Sequence, residues 1–291
     1  MLRTQPFFTR LLLATAATAA TAAVGAFAVP SAHAQAPATP VAKSTECTDL
    51  KLCYCVANEF KPVIEEKVKF YRQQIADARA KGKAVAYMSL PLSTLGGGYF
   101  DVNTEVAKKT KDRIEARFGA NAVWVLSPGT KESDLVAPSG LRGSNDDYML
   151  MWTRILEGVK GMGEDFDFVY FVGPSDFGAY FGFNGTADME KVNAFYDERI
   201  TTDKGLQREV ERGRVSKLAF RNYYGLKGSI TVSNGAHEEW NIFRTLNERR
   251  RANKDYGIGN QIPMLFDGAP VAPAIAEIPN TPGISGSCKI N

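Results

Sequence analysis

The sequence predicts an α/β fold: a mainly parallel five-stranded sheet with helices on both faces. Two observations carry this. Short apolar runs alternate along the chain with segments of helical periodicity, and each junction holds Gly, Pro or a small polar residue. The four cysteines fall at the two ends of the folding region, so a disulfide joins its N- and C-termini.

The elements follow in order. Glu59 to Ala80 places Phe60, Val63, Ile64, Val68, Tyr71 and Ile75 on one helical face, and Lys81-Gly82-Lys83 ends it. Ala84 to Leu90 reads as a buried strand. Pro91 to Gly98 is a loop, and Asn103 is expected to cap a helix reaching Phe118. Ala122 to Leu126 is a second strand, followed by a long polar loop and a helix from Asp146 or Asp147 to Glu157. Phe166 to Val172 is a third strand, and Gly178 to Gly185 a glycine- and aromatic-rich loop. Helices are expected over 187–200 and 206–220, a fourth strand over Ser229–Ser233, a helix over 236–253 and a fifth strand over Gln261–Phe266. The alternation is that of Rossmann- or flavodoxin-like domains.

The ends set the cellular context. Arg3 and Arg10 precede an uncharged Ala-rich run from Leu11 to Val29, and Ala32-His33-Ala34 is a small-x-small cleavage signature. Residues 1–34 are therefore expected to be a signal peptide, 35–46 a flexible leader, and 47–291 one α/β domain with a Pro-rich tail. A run leading straight into a cleavage site, without a charged stop, argues against an anchor. No later segment is apolar enough to span a bilayer. The expected location is periplasmic or secreted. Cleavage would take the balance from 35 basic and 32 acidic residues to 33 and 32. Near neutrality gives no case for nucleic acid or an anionic membrane. Arg249-Arg250-Arg251 closes a helix, where it complements the dipole. Cys47, Cys53, Cys55 and Cys288 all remain, and a Cys53–Cys55 ring would be strained. Two pairings stay open, both tying Cys288 to the N-terminal cluster. One histidine survives cleavage, so neither a metal nor another cofactor is expected.

In open α/β sheets ligands sit beyond the carboxyl ends of the strands. That rule selects Ser89, Gly97, Gly98, Tyr99 and Asp101 after the first strand, Ser175 and Asp176 after the third, and Asn234, His237 and Glu238 after the fourth. Gly96-Gly97-Gly98 offers backbone N–H groups to an anion or serves as a plain turn; it matches neither a Walker loop nor a dinucleotide fingerprint. A Ser-His-Asp hydrolase is not supported, since no G-x-S-x-G elbow occurs.

Tyr87-Met88-Ser89-Leu90-Pro91-Leu92, together with Asp176 and Gly185-Thr186-Ala187 before Glu190, resembles nucleoside 2-deoxyribosyltransferases and their Rossmann-like relatives. The similarity covers about a hundred residues. It departs in the spacing of Glu190 and in the Gly/aromatic insertion before Gly185. Gly235-Ala236-His237-Glu238-Glu239 is a rival position for the family's glutamate. The resemblance implies an enzyme that processes the N-glycosidic bond of a nucleoside or nucleotide. Glu190 or Glu238 would be the carboxylate facing the sugar, Asp176 or Asp101 would handle the proton, and Tyr99 would orient the ring. The alternative is a non-catalytic exported protein that binds a small polar ligand or a partner, with Phe177, Tyr180, Phe181 and Phe183 offering ring faces. No protein partner is identifiable.

Overall fold

The computed structural model describes residues 41–92, 94, 96–256, 260–271 and 288. The expected signal peptide, most of the leader and most of the Pro-rich tail lie outside these residues.

A hairpin opens the described chain. Strands β1 (Lys43–Cys47) and β2 (Cys53–Ala57) pair antiparallel, with Cys47 opposite Cys53. Those two cysteines are bonded, and Cys55 bonds Cys288 across 233 positions. The structure thus selects one of the two open pairings and joins the ends as expected. Such bonds belong to an oxidising compartment. Strand β1 also shortens the expected leader, which gives way to sheet at Lys43.

The main sheet takes strands β3 (Ala84–Ser89), β4 (Val123–Leu126), β5 (Phe168–Phe171), β6 (Met264–Phe266) and β7 (Ala269–Pro270) in the order β4-β3-β5-β6-β7. The first four run parallel, and β7 returns antiparallel beside β6 through Asp267-Gly268. The sheet is therefore mixed, which corrects the mainly parallel expectation. Chain order reverses at β3, between β4 and β5, and this is where doubly wound sheets open a crevice.

Alternation along the strands divides two cores. Val85, Tyr87, Val169 and Phe171 face α1 (Phe60–Ala80), α3 (Asn145–Leu156) and α8 (Asn234–Ala252). Ala86, Met88, Tyr170 and Val172 face α2 (Phe100–Phe118) and the long β5–β6 excursion. That excursion holds α4 (Pro174–Phe181), α5 (Asp188–Thr202), α6 (Lys204–Glu211) and α7 (Lys217–Asn222). Helix α1 is held by a stripe at intervals of three and four: Phe60, Ile64, Val68, Tyr71, Ile75 and Ala78, all buried. Helix α3 begins with a capping box in which Ser144 and Asp147 bond each other's backbone N–H. Asp146 and Asp147 also accept from the Cys55 and Ala57 N–H groups, which ties β2 to this helix.

Several expected elements are replaced. Ser229–Ser233 is not a strand: Ile230–Val232 is a 3-10 turn. Ser229 Oγ accepts from the Thr231 N–H and Ser233 Oγ from the Ala236 N–H, so local side-chain bonds satisfy backbone that a ladder would otherwise use. The fifth position in the sheet goes to β7. The Gly178–Gly185 loop is partly helix, because Pro174 and the Asp176 bond to the Gly173 N–H start α4 at the strand's end. The segment 206–220 is two helices, broken at Gly213 with φ +69°. Asn103 is not a cap. It is buried one turn into α2 and accepts a hydrogen bond from the Tyr224 hydroxyl at 2.8 Å.

Candidate functional site

A cavity of about 590 Å³ opens beyond the carboxyl ends of β3 and β4. This is the size of small-molecule sites. Leu90 and Leu92 come from the β3–α2 connection, Phe100 from the start of α2, and Pro128, Thr130, Ser133 and Asp134 from the segment after β4. Helix α3 presents Asn145, Tyr148, Met149 and Trp152. Ser233 to Ala236, at the start of α8, and Glu239 complete the lining.

Glu239 is the unusual member. Its phase on α8 explains its direction: Ala236, Glu239, Phe243 and Leu246 recur at helical intervals and are buried toward the sheet. The Tyr87 hydroxyl, from the sheet below, donates to Glu239 Oε1 at 2.7 Å. Glu239 Oε2 has no hydrogen-bond partner. Burial pushes the Glu239 carboxyl up to about 7, opposed by the neighbouring Ser89 and Tyr87 hydroxyls and assisted by Glu238. Ser89 Oγ is fully buried and lies beside the carboxyl, but its geometry falls short of a hydrogen bond. Burial and the Glu239 charge raise Tyr87 well above a normal phenol, so it stays a proton donor.

Glu238 points elsewhere. It is buried away from the cavity lining, and burial with the Asp146 charge raises it to about 7. Burial thus pushes two adjacent carboxyls up to about 7, and the Glu238 charge adds to the rise at Glu239. His237, half-buried and lowered by burial, is not a lining residue either.

The remaining expected site residues lie elsewhere. Asp176 is buried under α4 and lines a separate pocket of about 230 Å³. There it accepts from the Gly173 N–H, from the Tyr170 hydroxyl and from Arg113. It is a helix cap with a counter-ion. Ser175 bonds Asp267 through both its N–H and its hydroxyl. Asp101 is exposed on the first turn of α2, and Glu190 is exposed on the first turn of α5. Tyr99 is buried, and its hydroxyl donates to Asp101 and to Asp203, the cap of α6. Gly97 serves close packing: a Cβ there would lie 2.4 Å from the Ala219 carbonyl of α7, and its φ is +110°. Gly98 is buried in the same loop and does not line the cavity. Of the expected residues only Asn234 lines the cavity, while Ser89 supports it from beneath. Glu190, Asp176 and Asp101 are not brought together there.

The aromatic stretch is core. Phe181 packs at 4.8 Å from Tyr180, 5.1 Å from Phe195 and 5.2 Å from Tyr224, measured between ring centres. Among the described residues no group of three or more His, Cys, Asp and Glu side chains is gathered as a metal ion would need. No helix among them is long and apolar enough to cross a membrane. No protein-family model matches the chain, and comparisons with curated proteins and with solved structures give no match.

Proposed function

We propose that this is an exported, Rossmann/flavodoxin-like protein, periplasmic or secreted, that processes the N-glycosidic bond of a nucleoside-like ligand in the β3–β4 cavity. Glu239 is the carboxylate that meets the sugar. The carrying observation is the hydrogen bond that the buried Tyr87 makes to Glu239, a residue of the cavity wall. It brings together the first-strand segment of the family resemblance and the Gly235–Glu239 segment, the rival position for its glutamate. The assignment moves from Glu190 and Glu238 to Glu239.

The chemistry suits the group. Breaking an N-glycosidic bond builds positive charge at the sugar C1, which a carboxylate stabilises or traps. Tyr87 holds one oxygen, and the other has no protein partner. The carboxyl must be ionised to act, so turnover rises with pH through about 7. Turnover of nucleosides and of NAD by the mature protein tests the reading. Glu239→Gln should lower kcat/KM by at least about a hundredfold, and Glu190→Ala should leave it unchanged. Full activity in Glu239→Gln would overturn the assignment. The predominantly apolar walls also suit non-catalytic ligand binding, which thermal stabilisation by a nucleoside without product formation would establish.

A further inference from the structure

The cavity's charge bears on which glycoside it takes. Asp134 and Glu239 line it, and among the described residues no Lys, Arg or His does. A phosphate would enter beside two carboxylates with no side-chain cation to meet it. The walls add the aromatic rings of Phe100, Tyr148 and Trp152. Acidic groups and ring faces together suit a cationic heteroaromatic group. The acids expected to protonate a leaving base do not line the cavity: Asp176 is bound to Arg113 in another pocket, and Asp101 is exposed on α2.

From this we infer that the preferred substrate is an unphosphorylated N-glycosyl pyridinium, a nucleoside whose base is already a cation. The inference rests on the reading that Glu239 acts on an N-glycosidic bond. A neutral purine or pyrimidine must gain a proton as it leaves. A pyridinium need not. The carboxylate oxygen of Glu239 bonds to C1, the C1–N bond breaks, and its electron pair returns to the ring nitrogen, giving a neutral pyridine. Water then cleaves the glycosyl ester, forming the free sugar and restoring the carboxylate, with one proton released to solvent. Before reaction the cationic ring lies among the aromatic walls, where its charge also favours the ionised form of Glu239.

The test compares kcat/KM at pH 7.5, a condition chosen above the Glu239 midpoint of about 7, for four probes on the full mature protein. They are an N-ribosyl pyridinium, its 5′-phosphate, a purine nucleoside and a pyrimidine nucleoside. The unphosphorylated pyridinium should exceed each of the others by at least about tenfold, a difference of about 1.4 kcal/mol in transition-state binding. Equal or faster turnover of the phosphate, or of either neutral nucleoside, would overturn the inference while leaving the role of Glu239 standing. Turnover of the pyridinium that survives Glu239→Gln, or no turnover of any probe, would instead remove the reading on which the inference rests.

Discussion

Asp176 and Glu239 are both buried carboxyls near the start of a helix, and the protein treats them in opposite ways. Asp176 receives a backbone N–H, a tyrosine hydroxyl and an arginine. Glu239 receives one tyrosine hydroxyl and no cation, and one of its oxygens is unpaired. A buried carboxyl with its donors supplied is a structural part; one left short has its protonation poised near neutrality. The difference lies in the neighbours, not in the position near a helix start.

Removing each carboxyl therefore has a different signature. The largest effect on stability belongs to Asp176→Ala, which leaves the Gly173 N–H and the buried Tyr170 hydroxyl without their acceptor. It should cost roughly 3 kcal/mol, seen as a lower urea midpoint with an unchanged slope. A loss under about 0.5 kcal/mol would mean that Asp176 is not the structural member of the contrast.

Glu239 shows itself through pH. Its folded-state value, about 7, lies above the ordinary 4.5, and so does that of Glu238. The folded state thus holds more protons than the unfolded chain between these values. The stability that these two carboxyls contribute is fully present below pH 4.5 and is lost as pH rises through 7. Each carboxyl contributes up to about 3 kcal/mol to that loss, shared because the two interact. In Glu239→Gln the decline should shrink toward the Glu238 share. An identical decline in wild type and variant would break the contrast.

Much of the frame was legible in the chain. The stripe of α1, the buried run of β3 and the clustering of cysteines depend on local pattern, and local pattern survives folding. The strand expected at Ser229–Ser233 failed because its serines bond their own backbone. The candidate site was half legible. The crevice rule led to the end of the sheet where the cavity opens, and Glu238-Glu239 was visible as a pair. Choosing between them needed the phase of α8, set by Ala236 and Phe243, which turns Glu239 toward the sheet. The Tyr87–Glu239 bond spans 152 positions and has no local signal. Nor does the Arg113–Asp176 pairing, which gives Asp176 the counter-ion that Glu239 lacks.

The most direct measurement is a carbon-13 NMR titration of the glutamate side-chain carboxyls in wild type and in Glu239→Gln. Two glutamate carboxyls should titrate with midpoints near 7, and the variant should lose one of them and shift the other downward as the neighbouring charge disappears. If every glutamate in the wild type titrates near 4.5, Glu239 is an ordinary solvated carboxylate and the poised site does not exist.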